Sequence, residues 1–487
     1  MSEIIRVTAE DGHSFEFVNK IVGSGAGKDV YFSPDKSRVV GFYHTEPDAA
    51  VMQHLETLIR LNRELMIQQE GEEDLLNLFC WPMSIVRWNG KVGFVVPALQ
   101  KHFFFSENSR FAGKEKEAKW FASAKLRNKF LGDSDTGTWA GHVRMCMNLA
   151  RAVRCLHECK LVHTDLSCHN LLADPETGSI CIPNIVDMSL TQDEFCAPDW
   201  IAPETLNASS WDFSEKSCLH AQLHVLAVWI YMFLLNRHPL RGGWVRDIDP
   251  AVDEKLSMGS QALFIEHPTD IRNRPRVDLL DASELPQWDV SKRPYSLCGP
   301  YLATMFERAF IDGLHRPELR PTAKEWEDAL RKTMDLLMPC TNPQCKEKWY
   351  LFDNKAKPNC PFCGKEYKGK LPILNFYRSV GEGKFTDEHA RLVVYSGLSL
   401  DERYANRQDV ACEECSRERK KTVSDFCFRD GKWILSNHGL PNMCDVTDPG
   451  NHKKIPAGGY VELREGAKIL LDTEPGGRLV YVQLVSN

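Results

Sequence analysis

The sequence over residues 160–174, KLVHTDLSCHNLLAD, constrains the chain more than any other stretch. It follows an amphipathic helix pattern over residues 139–160 and precedes an apolar hairpin pattern. Asp165 and Asn170 stand five residues apart on the predicted loop. A carboxylate there can accept the proton of an attacking hydroxyl while an amide oxygen helps to hold a metal ion, as phosphoryl transfer requires. The alternative is a helix C-terminus followed by a polar turn without a chemical role.

Length and composition limit the class of protein. A chain of 487 residues is too long for one hydrophobic core, so two or three domains are expected. The formal net charge of −7 gives no argument for binding nucleic acid or an anionic membrane. Residues 1–6 lack a signal-peptide pattern, and the longest apolar run, residues 225–235, is too short to span a bilayer. With 17 cysteines, an odd number, we expect a reducing cytoplasm.

A glycine-rich turn lies upstream of the predicted loop. Residues 14–44 alternate like β-strands around residues 21–32, IVGSGAGKDVYF. Glycines allow the backbone to approach phosphate groups closely, and the exposed amides attract their charge. Glycine-rich hairpin turns are common, so the position of this turn before the acid–amide loop is what favours a nucleotide-binding role.

The pattern H-x-D-L-x-x-x-N over residues 163–170 resembles the catalytic loop of the protein kinase superfamily. In the kinase pattern G-x-G-x-x-G-x-V, Gly23, Gly25 and Val30 match, whereas Lys28 replaces the third glycine. The resemblance implies that Gly23 and Gly25 cover the phosphates of ATP and that Val30 covers the adenine. His163 would hold the loop structurally.

The lysine that grips the phosphates in kinases is missing from residues 38–44, RVVGFYH. Residues two apart in a strand project to the same face, so Lys28 should face the nucleotide cleft together with Val30. We therefore expect Lys28 to supply the missing charge, a swap similar to that of the with-no-lysine kinases. Phe42 or Tyr43 would fill the vacated place. The alternative is a lysine that points to solvent.

Other kinase motifs follow in order. The predicted helix over residues 48–69 resembles the one whose glutamate pairs with the phosphate-binding lysine, and Glu56 is our choice. Glu64 is an alternative, and either glutamate could simply be solvated. Asp187, in the sequence DMS, stands where kinases chelate magnesium, together with Asn170. Glu204 of an Ala-Pro-Glu motif is predicted to pair with Arg320.

Two departures from the kinase pattern lie near the loop. Ser167 replaces the lysine that commonly follows the catalytic aspartate by two residues in Ser/Thr kinases. Residues 100–138, which are rich in Lys, Phe and Ala, are predicted to be an inserted, partly helical surface element. A role in substrate docking and a solvated basic face are the two interpretations. The lysines of this element are Lys114, Lys116, Lys119, Lys125 and Lys129.

A cysteine cluster follows the kinase-like region. Cys340-x4-Cys345 and Cys360-x2-Cys363 place paired thiolates on two turns, the pattern of a structural zinc site with four protein ligands. A further pair, Cys412-x2-Cys415, lacks a nearby partner pair. Cys427 and Cys444 could complete a second site, or all four could be ordinary packed or free cysteines.

Residues 370–487 show short alternating strands with turn signals, which indicates a β-sandwich or barrel. The order of residues 433–439, 459–463 and 466–470 resembles the second half of forkhead-associated domains, which bind phosphothreonine peptides. Arg403, Ser416 and Asn437 are the candidate matches for phosphate-binding residues. A structural sandwich without phosphate binding is the alternative.

The sequence thus predicts an α+β protein with a bilobal protein-kinase-like fold, a small zinc knuckle and an all-β sandwich. The predicted bounds are 1–99 for the N-lobe, 100–335 for the C-lobe, 336–369 for the knuckle and 370–487 for the sandwich. In residues 226–228, LAV, residues 320–326, RPTAKEW, and the cysteines that follow, the chain resembles bacterial protein kinases of tellurite-resistance and stress-response systems. That resemblance implies Mg-ATP (or Mn-ATP) as cofactor and a protein Ser or Thr as substrate. It also implies a von Willebrand A-type protein and a metal-dependent phosphatase as partners. The alternatives are a pseudokinase scaffold and a small-molecule phosphotransferase.

Overall fold

The computed structural model describes residues 3–25, 27–68, 77–163, 165–168, 170–183, 185, 197–208, 214–353, 355, 357–381, 383–406 and 421–486. The N-terminal part is a two-stranded hairpin followed by a five-stranded antiparallel sheet of order β3-β4-β5-β7-β6 with one helix. Its elements are β1 (Ile4–Thr8), β2 (Ser14–Val18), β3 (Gly23–Ser24), β4 (Lys28–Phe32), β5 (Arg38–Tyr43), α1 (Ala49–Gln68), β6 (Ser84–Trp88) and β7 (Lys91–Pro97).

The two faces of this sheet have different partners because side chains alternate along each strand. Tyr31 of β4 and Phe42 of β5 are buried together with Phe17 of β2, so this face carries the N-terminal hairpin. Phe94 of β7 belongs instead to the cluster that includes Leu58 of α1. The residues of β4 and β5 that alternate with Tyr31 and Phe42 therefore point to the opposite face of the sheet, where α1 packs.

The following part is mainly helical and packs around a buried central helix. Its main elements are α2 (Lys119–Ala122), α3 (Ala124–Phe130), α4 (Trp139–Glu158), β8 (Leu172–Asp174), β9 (Ser179–Cys181), α5 (Pro203–Asn207), α6 (Glu215–Leu235), α7 (Pro250–Met258), α8 (Gly299–Glu307) and α9 (Ala323–Met334). Helix α4 packs against both α6 and α9. A sheet with one helix followed by a helical lobe is the bilobal arrangement of a protein-kinase-like fold.

Helix α6 is apolar on all sides, which is the pattern of a helix enclosed by a core. By length and composition, its residues Lys216–Leu235 could cross a membrane, but 72% of the most apolar window is buried inside the protein. The helix begins at Ser214, whose hydroxyl accepts from the amide of Ser217, and ends at Asn236 in the left-handed conformation.

Residues 100–138 differ from the predicted surface element. Short helices are present, at α2 and α3, but Phe103, Phe105, Ala118 and Phe121 are each at most 2% exposed. Phe105, Ala118 and Phe121 belong to the main core of the helical lobe. The small and aromatic residues that stand between the lysines pack into the protein interior.

The C-terminal part is built from antiparallel strands. Its elements are β10 (Leu337–Pro339), β11 (Trp349–Leu351), β12 (Leu371–Gly381), β13 (Lys384–Val393), β14 (Ser399–Asp401), α10 (Glu402–Ala405), β15 (Thr422–Arg429), β16 (Lys432–Asn437), β17 (Cys444–Asp445), β18 (Lys453–Lys454), β19 (Tyr460–Glu462), β20 (Lys468–Leu470) and β21 (Arg478–Val485). Strands β10 and β11 form a hairpin; the others form sheets of order β13-β12-β21-β20-β17-β18 and β14-β15-β16-β19. Phe376 and Val480 of the first sheet share one apolar core with Phe426 and Leu435 of the second.

The β10–β11 hairpin and the cysteine turns around it lie between the helical lobe and the two-sheet region. On one side, the backbone amide of Trp139 in α4 donates to the carbonyl of Glu347 at 3.0 Å. On the other, Cys345 and Cys360 share a buried cluster with Ile373 of β12. The hairpin therefore contributes to both neighbouring cores.

Candidate active site and metal centre

The predicted catalytic loop brings its acid and its amide into direct contact. The Nδ2 atom of Asn170 donates to Oδ2 of Asp165 at 2.7 Å and to the backbone carbonyl of Asp165 at 3.0 Å. Both side chains are partly buried. Because the amide nitrogen points to Asp165, the amide oxygen is the atom of Asn170 that would coordinate a metal. The structure thus brings the predicted acid and amide together on one loop.

Side chains of the buried helix α6 donate hydrogen bonds to the backbone of the loop. The indole Nε1 of Trp229 donates to the backbone carbonyl of Leu166 at 2.9 Å, and Nε2 of Gln222 donates to that of His163 at 3.4 Å. Trp229 is fully buried. Such bonds satisfy loop carbonyls that would otherwise be buried without partners, so they fix the loop backbone in one conformation.

The predicted ion pair between Arg320 and Glu204 is confirmed. Nη1 and Nη2 of Arg320 donate to the two carboxylate oxygens of Glu204, each at 2.7 Å. Arg320 is 4% exposed and also donates to the carbonyls of His220, Gly313 and Leu314. This bidentate pair ties the start of α5 to the segment before α9.

The glycine-rich turn closes a short hairpin. Gly23 pairs with Val30 across β3 and β4, and the amide of Gly25 donates to the carbonyl of Lys28 at 3.0 Å. A Cβ atom at Gly25 would meet no atom within 4 Å, so the turn leaves open space above it. The hairpin places Gly23 and Gly25 at the edge of the sheet, and Val30 lies on the neighbouring strand.

Lys28 lies opposite Tyr43 and points to the same sheet face as α1. Its Nζ lies 5.4 Å from the centre of the Tyr43 ring and 5.1 Å from that of Phe94. Phe42 lies on the other face, in the cluster of the N-terminal hairpin. Of the two residues proposed to fill the vacated lysine position, Tyr43 therefore has the right orientation and Phe42 does not. An ammonium at this distance is attracted by the aromatic faces.

The structure places Glu56 away from Lys28. Glu56 is exposed and lines a groove of about 360 Å³ with Asp11, Arg63 and Ile85. No ion pair joins it to Lys28, both residues lying within the described part of the chain. The alternative, Glu64, lies 3.4 Å from Arg60 one turn earlier on the same helix. Asp187, the expected magnesium ligand, lies outside the described residues.

Four cysteine sulfurs converge at the β10–β11 hairpin. The Sγ atoms of Cys340, Cys345, Cys360 and Cys363 all lie within 4.8 Å of one another. Cys340 and Cys363 are 3.6 Å apart and Cys345 and Cys360 are 3.9 Å apart. Four sulfurs about 2.3 Å from a tetrahedral zinc would be about 3.8 Å from each other. The cluster therefore fits a metal with four thiolate ligands and no open position.

A buried ion pair that was not predicted from the sequence lies next to this cluster. Both guanidinium nitrogens of Arg127 donate to the carboxylate of Glu347, at 3.1 and 3.0 Å. Glu347 lies two residues after Cys345 and is fully buried. Burial opposes ionisation of Glu347, but Arg127, and then Arg293, hold its pKa at about 2. The partners are 220 residues apart, so no local pattern could have revealed the pair.

The candidate phosphate-binding residues of the C-terminal region do not form one site among the described residues. Asn437 is fully buried, donates to the carbonyls of Leu440 and Ile455 and accepts from the amide of Leu440, each at 2.8 Å. The Nε atom of Arg403 donates to Asp401 at 2.9 Å. Ser416 lies outside the described residues.

The two described candidates for a second cysteine site lie apart. Cys427 lies on β15 and Cys444 on β17, which belong to different sheets. Cys412 and Cys415 lie outside the described residues. Within the described ranges, the only group of thiols suited to a metal is the four-sulfur cluster.

Comparisons with known proteins give limited information. No protein-family model matches the chain, and no curated protein matches it. Solved structures with a protein-kinase fold do match. ROP2 from Toxoplasma gondii, described as a virulence factor with a protein-kinase fold and no enzymatic activity, aligns at 14% identity and a TM-score of 0.41, covering 68% of this chain and 85% of that chain. A rhoptry kinase from the same organism aligns at 14% identity and a TM-score of 0.39, covering 69% and 84%. Likenesses this weak support no conclusion about activity.

Proposed function

We propose that this chain is an ATP-dependent protein serine/threonine kinase. The observation that carries the proposal is the contact between Asn170 and Asp165 on a loop fixed by α6. In this arrangement Asp165 accepts the proton of the attacking hydroxyl, which is the role of a general base within hydrogen-bond reach. Asn170, together with Asp187, would hold the magnesium ion that neutralises the nucleotide phosphates.

The glycine turn and Lys28 would hold the phosphates from the opposite side. Gly23 and Gly25 carry no side chains, so phosphates can approach the backbone of this turn closely. Val30 lies on the face that Lys28 shares. In the proposed mechanism, Lys28 moves from the rings of Tyr43 and Phe94 to a phosphate oxygen when the nucleotide binds. Its role is to stabilise charge that develops during transfer.

The four-cysteine cluster would bind structural zinc, and the two-sheet region would be a forkhead-associated-like sandwich. A bacterial signalling or stress-response role, with a von Willebrand A-type protein and a metal-dependent phosphatase as partners, rests on the sequence resemblance alone. A cytoplasmic location is proposed from the odd number of cysteines and the metal-type spacing of one cluster.

The rival proposal is a pseudokinase scaffold that binds a protein partner through its C-terminal region. The absence of a lysine from β5 and the packing of Lys28 against two aromatic rings favour it. The retained Asp165 and Asn170 oppose it, since a scaffold has no need for a general base beside a metal ligand.

Incubation with γ-labelled ATP separates the two proposals. The wild type and Asp165→Asn are incubated with Mg²⁺ or Mn²⁺, alone and with a cell lysate. The kinase proposal predicts labelled serine or threonine with the wild type and none with the variant. If the wild type incorporates no more label than Asp165→Asn under any of these conditions, the kinase proposal is rejected and the scaffold proposal remains.

A further inference from the structure

Lys28 is the first residue of β4, where the strand leaves the glycine-rich turn. On one side it pairs with Tyr43 of β5. On the other side the neighbouring strand, β3, has only two residues, and its pairs with β4 involve Asp29 and Val30. A side chain that is to meet a phosphate in a fixed place depends on a backbone that is itself held in place. The contacts that hold this strand end therefore matter for the proposed role of Lys28.

A row of polar side chains lies on the opposite face of this strand end. Oγ of Ser24 donates to Oδ1 of Asp29 at 2.9 Å, and Nε2 of His44 lies 2.9 Å from the same oxygen. Nζ of Lys91 lies 3.6 Å from Oδ2 of Asp29. These four residues belong to β3, β4, the end of β5 and β7, which are neighbours in the sheet. The row therefore crosses four strands on the face away from Lys28.

Asp29 is the common acceptor of this row. The hydrogen bond from His44, and then that from Ser24, lower the pKa of the Asp29 carboxyl from its ordinary value of 3.8. An ionised carboxylate has no proton to donate, so Nε2 of His44 is the donor. The Asp29 side chain is 14% exposed, against 34% for His44 and 41% for Lys91, which places it at the centre of the row.

His44 holds both residues that flank Lys28. Its backbone amide donates to the carbonyl of Gly27 at 2.9 Å, and its ring donates to Asp29. The turn is also closed on the other side, because the amide of Gly25 donates to the carbonyl of Lys28 itself at 3.0 Å. The backbone from which the ammonium of Lys28 extends is thus fixed before and after this residue.

We propose that Asp29 and His44 are positioning residues that hold Lys28 toward the phosphates of the nucleotide. This inference rests on the proposed kinase function. A lysine on β5 would be held by paired strands on both sides, since β5 lies between β4 and β7. At the start of β4 the polar row supplies that support. Both residues act from the outer face of the sheet, without contact to the nucleotide.

The sign of the effect separates positioning from simple electrostatics. A carboxylate near a phosphate site repels the phosphate charge, so its removal would by itself strengthen the binding of a nucleotide. When Asp29 positions Lys28, its removal weakens binding, because the ammonium loses its fixed place. The two interpretations therefore predict opposite changes in the affinity for ATP.

A double-mutant cycle with Lys28 tests the proposal. The affinity for ATP in the presence of Mg²⁺ is measured for wild type, Asp29→Ala, Lys28→Ala and the double variant. His44→Ala and His44→Gln are measured in the same way, together with the rate of phosphotransfer. Melting temperatures show that each variant is folded.

Asp35→Ala is the matched control. Asp35 is an exposed carboxylate beyond the other end of β4, and it accepts from the hydroxyls of Ser33 at 2.6 Å and Ser37 at 2.7 Å. It thus ties a turn of the same strand in a similar way, but at the end away from Lys28. Asp35→Ala should bind ATP like the wild type.

We expect Asp29→Ala and His44→Ala each to weaken ATP binding about tenfold, as the loss of one hydrogen bond to a charged group does. His44→Gln should retain the wild-type affinity, since its amide nitrogen can donate to Asp29 in place of the ring. In the Lys28→Ala protein, Asp29→Ala should cause no further loss, because a positioning residue acts only through the side chain that it holds.

An equal loss from Asp29→Ala with and without Lys28 would overturn the proposal, and so would ATP binding by Asp29→Ala as tight as that of the wild type or tighter. The affinity measurement does not depend on phosphotransfer. Coupling between Asp29 and Lys28 in a protein that binds ATP but transfers no phosphate would refute the kinase function and preserve the positioning role. Additive losses in a protein that transfers phosphate would do the reverse, and a wild type that binds no ATP would refute both.

Discussion

At the scale of single residues, the structure shows side-chain orientations that the sequence left open. Lys28 shares a sheet face with Tyr43 and Phe94, whereas Phe42 faces the opposite way. Alternation along a strand predicted this orientation of Lys28, because the face of one residue determines that of its neighbours. The sequence alone could not show whether Phe42 or Tyr43 lies beside Lys28. The pairing between β4 and β5 places Tyr43 opposite Lys28.

Replacement of Lys28 tests its proposed contact with phosphate. Lys28→Ala should lower phosphotransfer on the order of 10²-fold, as the loss of a preorganised charge at a transition state does. Lys36→Asn is the control, since Lys36 is an exposed lysine with a φ of 58° in the next turn and asparagine tolerates that conformation. Equal rates of transfer in the two variants, measured with labelled ATP, would reject the role of Lys28.

Asn437 has a structural role that can be separated from phosphopeptide binding. It makes three hydrogen bonds of 2.8 Å to the backbone of the buried residues Leu440, in the turn after β16, and Ile455, directly after β18. Asn437→Ala should therefore lower the free energy of unfolding by about 3 kcal/mol or more, because these groups lose their partners. Urea denaturation measures this, with the exposed Asn451→Ala as control. An equally stable Asn437→Ala protein would contradict the structural role.

At the scale of helices and strands, apolar periodicity predicted most elements well. The patterns over residues 48–69 and 139–160 correspond to α1 (Ala49–Gln68) and α4 (Trp139–Glu158), because each helix buries one continuous stripe. The bidentate pair of Arg320 and Glu204 was also predicted. Residues 100–138 were placed on the surface wrongly, since their lysines gave a stronger signal than the phenylalanines and alanines that fill the core.

The cysteine hairpin offers a test of metal binding at the scale of an element. Cys345 and Cys360 are buried in a cluster shared with β12, so a metal that fixes them should also stabilise that cluster. Elemental analysis of wild-type protein should find one Zn²⁺ per chain, and Cys345→Ser should lose it and melt at a lower temperature. Cys427→Ser, on β15 outside the cluster, should retain both properties. Wild-type protein without metal, purified without chelator, would reject the site.

At the scale of the whole molecule, the cysteine hairpin connects the helical lobe to the two-sheet region. The carboxylate of Glu347, in the hairpin, accepts two hydrogen bonds from Arg127 of the helical lobe. The two-sheet region also contacts the helical lobe directly, because the Tyr404 hydroxyl donates to Asp335, the C-cap residue of α9, at 2.6 Å. Contacts over such sequence separations cannot be inferred from local patterns.

The ion pair of Glu347 should make this junction sensitive to acid. The folded-state pKa of Glu347 is about 2 against an ordinary value of 4.5. A lowered carboxylate pKa stabilises the fold, by about 3 kcal/mol here, above pH 4.5, and this contribution is lost as the pH falls toward 2. Glu347→Gln should lower the free energy of unfolding by roughly 3–5 kcal/mol at pH 7, because Arg127 stays buried and unpaired.

Urea unfolding at a series of pH values measures this effect. The difference between wild type and Glu347→Gln should narrow as the pH falls from 4.5 toward 2. Glu366→Gln, an exposed carboxylate variant in the same hairpin region, should follow the wild type throughout. A difference that stays constant with pH would show that Glu347 is not ionised in the folded protein.

The most direct test of the kinase function is the separation of nucleotide binding from phosphotransfer at the catalytic loop. ATP affinity and the rate of γ-phosphoryl transfer are measured side by side, with Mg²⁺, for wild type, Asp165→Asn and Asn170→Ala. Asp165 serves proton transfer alone, so Asp165→Asn should bind ATP nearly as well as wild type and lose about 10²–10⁴-fold in transfer. Asn170→Ala should lose both, because a metal ligand serves binding and chemistry. Transfer by Asp165→Asn at the wild-type rate would contradict the assignment.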